Sequence, residues 1–428
     1  MPRPTTKPTT DVTRIRKKHT KSRGGCQNCK LRRVKCDEAK PSCNTCQSFR
    51  VICSYNKLST TTTTMQAFAE GMFLVDLTVT NPPSLSLNRQ FLTMLNDHHA
   101  KQSDTTHFFQ TSDLEILNRF HERTVLSIQA DQPTNVYQRE FVRLALQTPF
   151  LFHLVLTTTL LHDRQASSPL KITPQPSPEE LFHLATGSSQ FNQLLSLPSS
   201  HITSPQKDAI YFGAILLACT SFAQIDSQLP ITSHFPFTSG EHDLSWLRFC
   251  CGKKAIHKLV DVPSRPDSAL RTIAGDFTLP MGQSPVAGVD FHSDRKAMSN
   301  LPETLIKLLG LDFEGVTPST NVYYTVTIFL GKMLALDLTF PGNVLVCLIL
   351  ISNFPVRFIE LLEIKDPRAL ILLGYFYGKI VQSKRWWMME RPRVEGRAIV
   401  EYLRGYYGGD ILGLEGLLEF PRRWCCEE

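Results

Sequence analysis

Six cysteines fall within residues 26–53, at Cys26, Cys29, Cys36, Cys43, Cys46 and Cys53. Their spacing, C-x2-C-x6-C-x6-C-x2-C-x6-C, repeats internally, since Cys26 to Cys36 and Cys43 to Cys53 share one form. A C-x2-C pair places two thiolates at one turn of chain, within reach of a single tetrahedral ion, and soft sulfur suits zinc. Two tetrahedral ions need eight ligand positions where six sulfurs are present, so the count closes when two thiolates bridge both metals. The pseudo-twofold repeat makes the first residue of each half, Cys26 and Cys43, the natural bridges. The rival uses of the same sulfurs are an iron–sulfur or mononuclear site, or a metal-stapled knuckle that binds protein. In every case the metal stabilises folding, because so short a segment cannot bury enough apolar surface alone.

The two halves differ in charge. Lys30, Arg32, Arg33 and Lys35 lie between Cys29 and Cys36, whereas Arg50 is the one charged residue between Cys46 and Cys53. Wound as a short helix, the first segment turns Leu31 and Val34 inward and projects Arg32 and Arg33 outward. Lysine or arginine on a helix in the major groove donates to guanine O6 and N7, the commonest specific base contact. The first half is therefore the arm that meets nucleic acid, and the second, with Phe49, Val51 and Ile52, is its packing partner. The plain alternative is a solvated charged face. Arg14, Arg16, Lys17, Lys18, Lys21 and Arg23 precede the cysteines. They read as a nuclear-import signal, a phosphate-gripping arm, or both, against the alternative of a solubilising tail.

The stretch Gly25-Cys26-Gln27-Asn28-Cys29-Lys30-Leu31-Arg32-Arg33-Val34-Lys35-Cys36-Asp37-Glu38, followed by Pro41 and Cys43, resembles the fungal binuclear zinc cluster. All six cysteine positions and the loop proline match that family. The resemblance implies two zinc ions per chain, double-stranded DNA as partner, the nucleus as location and regulation of RNA polymerase II transcription as activity. It also implies that Arg32 and Arg33 read a short G/C-rich element, with Lys30 and Lys35 on phosphates or base edges. The alternative function is a metal-stabilised protein-interaction regulator that does not bind DNA.

Charge is distributed to suit a polyanion at one end. Through Lys57 there are 15 basic residues against Asp11, Asp37 and Glu38, a net +12, which leaves −5 on the remainder of a chain whose total is +7. At 428 residues, with 42% hydrophobic and 20% charged residues, the chain suits two or three domains with a real core. The N-terminus lacks an apolar signal region, and the most apolar run, Val344 to Ile351, is too short to span a bilayer. It reads instead as a buried helix or strand. Twelve cysteines without a secretion signal point to reduced thiols kept for metal rather than to disulfides.

The expected organisation is a basic disordered arm over 1–25, the zinc-cluster domain over 26–57, a linker over 58–110 and an all-α regulatory domain over 111–428. The fold class is thus a small metal-stapled domain followed by a mainly all-α one. Helix signals begin at Ser112-Asp113-Leu114-Glu115, a capping box, and continue with Val136 to His162 interrupted at Pro149. Ser177-Pro178-Glu179-Glu180 and Ser204-Pro205 are further starts. Later segments are Ser245 to Leu259, Asn321 to Leu338, Val344 to Glu363, Pro367 to Met389 and Val394 to Tyr407.

The body also resembles the helical regulatory domain of zinc-cluster proteins of the sterol-uptake-control type. The residues that carry the likeness are Asp113-Leu114-Glu115, Pro149 with its long apolar helix to His162, and Glu180-Leu181-Phe182, then Trp246-Leu247-Arg248, Pro367-Arg368-Ala369-Leu370 and Trp386-Trp387. That resemblance implies a homodimer and a small lipophilic ligand, whereas apolar residues at this spacing read by themselves as core. His153 and His162 sit on an apolar helix without an evident acid or nucleophile, and no G-x-S-x-G, P-loop or H-E-x-x-H occurs, so no enzyme is expected. Cys250-Cys251 and Cys425-Cys426 are adjacent pairs, so neither a third metal site nor a redox motif is expected from them.

Overall fold

The computed structural model describes residues 24–25, 35–40, 43–44, 55, 85–101, 108–128, 134–166, 175–240, 243–273, 295–339, 343–344, 352 and 354–427. The chain divides into two compact units, Met1–Asp76 and Leu77–Glu428. The second is all-α, with no strand among the described residues.

Its first helix, α1 (Leu85–Ala100), lies inside the stretch expected as linker. The physical reason is that it completes other elements. A helix leaves its last carbonyls without partners. Here the His98 and His99 imidazoles lie 3.3 and 2.8 Å from the Gln147 and Leu146 carbonyls, at the end of α3 (Thr134–Gln147). Asn96 also exchanges two hydrogen bonds with the backbone of Phe109. Burial pushes the His99 imidazole down to about 4, so the ring is neutral and donates Nε2–H to Leu146.

Helix α2 (Thr111–Arg119) runs on through a π-helical turn, Phe120–Thr124. The cap is not Ser112. Asp113 reaches back so that its Oδ2 accepts the Gln110 N–H at 2.7 Å, the same reciprocal logic two residues earlier. Helix α4 (Pro149–Ala166) is buried nearly all round. It tolerates three consecutive threonines because Thr157, Thr158 and Thr159 each donate to the carbonyl four residues back. Helices α5 (Pro178–Leu195) and α6 (Ser204–Ala223) pack on α4. Ser177 caps α5 by accepting the Glu180 N–H at 3.1 Å, as its sequence indicates. Thr203, rather than Ser204, caps α6, with Gln206 completing the box.

The expected helix from Ser245 breaks at Gly252 into α7 (Ser245–Cys251) and α8 (Lys253–Val260). A short α9 (Glu303–Leu308) precedes α10 (Tyr324–Leu334) and α11 (Val356–Glu363). Val344 is buried, and residues 345–351 of the most apolar run lie outside the described residues. Helix α12 (Pro367–Ile380) is buried without interruption from Ala369 and is enclosed by α13 (Glu390–Tyr407) and α14 (Leu414–Cys425). It stops short of Met389 because the chain turns at Lys384, which holds a left-handed φ of 52°. No helix among the described residues is long and apolar enough to cross a membrane.

Two consequences can be measured. Gly331 of α10 lies against the Ala297 carbonyl, which an added Cβ would strike, and its own carbonyl accepts from Asn300 at 3.1 Å. Gly331→Ala is expected to lower unfolding free energy by about 1–3 kcal/mol. Gly405, in α13 with open space around it, should gain about 0.5–1 kcal/mol as alanine. Thermal melts of the two variants, moving in opposite directions, check this.

The second concerns acid. His162, within 3.0 Å of Thr124 Oγ1 and stacked on Trp386 at 4.4 Å, is pushed down by burial to about 4, with Arg123 adding to the shift. A histidine depressed in the folded state binds more protons when unfolded, so its stabilisation is complete above the ordinary value of 6.5 and is lost as pH falls towards about 4. His162→Asn should therefore lose less stability than the parent between pH 7 and pH 5, by on the order of 2 kcal/mol, in paired melts at the two pH values.

Candidate metal centre and nucleic-acid interface

In the N-terminal unit, Cys36 and Cys43 are buried, at 3% and 0% exposure. Their sulfurs and an Asp37 carboxylate oxygen all lie within 4.8 Å of one another. Local backbone geometry brings this about. Asp37 Oδ2 accepts the Asn44 N–H at 3.1 Å, which closes the loop between the two cysteines and folds Cys43 back upon Cys36. Glu38 takes a left-handed φ of 59°, and its N–H donates to Cys36 Sγ at 3.4 Å. An N–H aimed at sulfur favours the thiolate over the thiol. Tyr55 lies beyond the last cysteine. Its hydroxyl donates to the Gly24 carbonyl and is 3.8 Å from Cys36 Sγ, and Lys40 lies over its ring. The end of the cysteine segment is thereby tied to its beginning.

Two buried sulfurs held together in this way, with a backbone donor on one of them, fit a thiolate-bound metal. Sequence reasoning did not anticipate the Asp37–Asn44 closure or the Tyr55–Gly24 tie. Asp37 followed by Asn44 leaves no periodic signal, and Tyr55 falls outside the cysteine repeat.

Lys35 is exposed and immediately precedes buried Cys36. Cys26, Cys29, Cys46 and Cys53, the expected DNA contacts Lys30, Arg32 and Arg33, and the arm residues Arg14, Arg16, Lys17, Lys18, Lys21 and Arg23 lie outside the described residues.

In the helical unit, the two indoles of Trp386-Trp387 are engaged in packing. Trp386 stacks on His162 and donates Nε1–H to Ser127 Oγ at 2.8 Å, and Trp387 meets Phe222 edge-on. Burial pushes the Cys251, Cys425 and Cys426 thiols up, so they are neutral core or near-core groups. His153, read from sequence as lacking an acid or nucleophile partner, meets another imidazole: its Nδ1 lies 2.8 Å from His183 Nδ1.

Comparison with known proteins places this geometry in context. Over 86 residues, 18% of this chain and 9% of the relative, the sequence is 38% identical to Sterol uptake control protein 2 of Saccharomyces cerevisiae. Over 241 residues, 56% of this chain and 54% of the relative, it is 25% identical to the Zn(2)-C6 fungal-type transcription factor afumD of Aspergillus fumigatus. The chain thus spans about half the length, or less, of these curated relatives. Residues 24–62, which contain the whole cysteine repeat, match the fungal Zn(2)-Cys(6) binuclear cluster domain. This chain carries a fungal binuclear zinc-cluster domain at its N-terminal end, a module that binds two zinc ions.

Proposed function

We propose that this protein is a nuclear regulator of RNA polymerase II transcription that reads a short G/C-rich DNA element through its zinc cluster. The observation that carries the reading is the closeness of Cys36 and Cys43. By sequence, Cys43 opens the second half of the repeat and Cys36 ends the first. A sulfur of one half that sits beside a sulfur of the other is what a bridging thiolate requires. This supports assigning all six sulfurs, Cys26, Cys29, Cys36, Cys43, Cys46 and Cys53, to two zinc ions, with Cys26 and Cys43 shared.

Zinc supplies a cross-link where the segment has too little apolar surface to fold. The chain's own residues then do the reading. Arg32 and Arg33 are assigned to base edges, where a guanidinium donates two parallel hydrogen bonds to guanine O6 and N7. Lys30 and Lys35 are assigned to phosphates or base edges, and the exposed position of Lys35 agrees with a contact made outward from the cluster. Arg14, Arg16, Lys17, Lys18, Lys21 and Arg23 extend the positive charge and would add phosphate contacts, nuclear import, or both. The names of the two relatives, a transcription factor and a sterol uptake control protein, agree with a regulatory rather than a catalytic role.

Retention of the full chain on random duplex DNA, weakening steeply with salt and abolished by a zinc chelator, is the primary test. A folded, zinc-loaded protein that ignores duplex DNA would instead indicate the protein-interaction regulator. Within the proposal, Arg33→Ala should relax sequence preference at a cost of about 1–3 kcal/mol on the preferred site. Lys35→Ala should weaken all sequences alike and reduce the salt slope by about one. Selection from a random duplex pool combined with salt titrations distinguishes the two effects, and identical behaviour of both variants refutes the division of labour.

A further inference from the structure

We propose that Asp113, Glu179 and His183 form a separate metal site in the helical unit, which takes one divalent transition-metal ion of the zinc type. Asp113 lies in the first turn of α2, Glu179 in the first turn of α5, and His183 one turn further along α5 on the same face. One donor atom from each lies within 4.8 Å of the other two. Asp113 and His183 are buried, at 3% and 2% exposure, while Glu179 is exposed, so the group opens to solvent on one side.

The distances and chemistry favour coordination over a simple ion pair. Asp113 Oδ2 holds the Gln110 N–H, and Oδ1 faces His183 Nε2 at 3.9 Å. That separation is too long for a hydrogen bond. It is, however, within the roughly 4.2 Å that two donors can span when each lies about 2.0–2.1 Å from a shared ion. Glu179, on an exposed side chain, already has a carboxylate oxygen within 4.8 Å of both other donors, so a small side-chain rotation would bring it to ligand distance.

A metal-binding imidazole characteristically has its other nitrogen held by a hydrogen-bond partner, which fixes the ring. His183 has this arrangement, because its Nδ1 lies 2.8 Å from Nδ1 of His153, which is 1% exposed. Donation from His183 Nδ1–H to His153 leaves the lone pair of His183 Nε2 directed towards the carboxylates. Phe109 packs on His153 at 4.9 Å and Phe182 on His183 at 5.3 Å, so both rings are clamped. One imidazole with two carboxylates suits zinc-type ions rather than the all-oxygen preference of calcium or magnesium. Three protein ligands leave a fourth position for water. The bound ion would clamp the first turns of α2 and α5 together, and this site is independent of the cysteine cluster.

The test is zinc stoichiometry in the full chain. Metal-free protein is equilibrated with buffered micromolar Zn2+ and counted by elemental analysis. The parent should hold about three equivalents, and both Glu179→Gln and His183→Ala about two. Glu179→Gln alters an exposed side chain and keeps the fold, which guards against a trivial loss through unfolding. Cys43→Ser should lose the cluster zinc and retain about one equivalent, and Zn2+ should raise its melting temperature unless Glu179→Gln is added. A parent that binds no more zinc than Glu179→Gln overturns this site. A Cys43→Ser variant that binds as much as the parent overturns the cluster assignment instead, so the two failures are distinguishable.

Discussion

A helix that ends inside a protein leaves carbonyls that must find donors, and in the helical unit one buried arginine meets that demand. Arg391 of α13 donates to the carbonyls of Ser221, Phe222 and Gln224, where α6 ends. Its guanidinium also pairs with Glu395 and lies near the rings of Trp246 and Phe222. Glu395 in turn accepts from the Tyr377 hydroxyl of α12. Burial pushes the Glu395 carboxyl up, even with the guanidinium beside it. Helices α6, α7, α12 and α13 thus meet at a single polar node, and removing one member would strand a buried charge.

The N-terminal unit solves the opposite problem. Around Cys36 and Cys43 the polar ties are single hydrogen bonds: the Asp37 carboxylate on the Asn44 N–H, and the Tyr55 hydroxyl on the Gly24 carbonyl. Such contacts choose a conformation but contribute little net free energy each. Coordination supplies the difference: the unfolded chain holds no formed sulfur site, so the free energy of binding the metal is itself folding free energy. A domain held this way can devote its outward residues to charge, because it needs few of them for a core.

The same residue types are put to different uses in the two units. In the helical unit, burial raises the Cys251 and Cys425 thiols, so they remain protonated and pack as small apolar groups. Near the cluster, a backbone N–H addresses Cys36 instead. Histidine divides likewise. His99 and His162 are pushed down and serve as neutral hydrogen-bonding rings. His153 and His183 face each other across α4 and α5, and the second is directed towards a carboxylate. Residue type alone does not distinguish these roles; burial and neighbours do.

The cysteine spacing by itself pointed to a thiolate-bound metal and to a repeat that can hold two ions, because C-x2-C pairs suit tetrahedral coordination. Apolar periodicity likewise determined that the body is helical, and Ser177 before Pro178 located the start of α5, since cap and proline chemistry act within one turn. Other features depended on residues distant in sequence. The α1 helix could not be read from its weak pattern because its stabilising partners, the Leu146 and Gln147 carbonyls, lie nearly fifty positions away. Asp113 looked like part of a helix start, and nothing in the sequence singled out His183. Only the packing of both α2 and α5 on α4 brought them within ligand distance. Local chemistry was legible in order along the chain, and convergence across the fold was decided by tertiary packing alone.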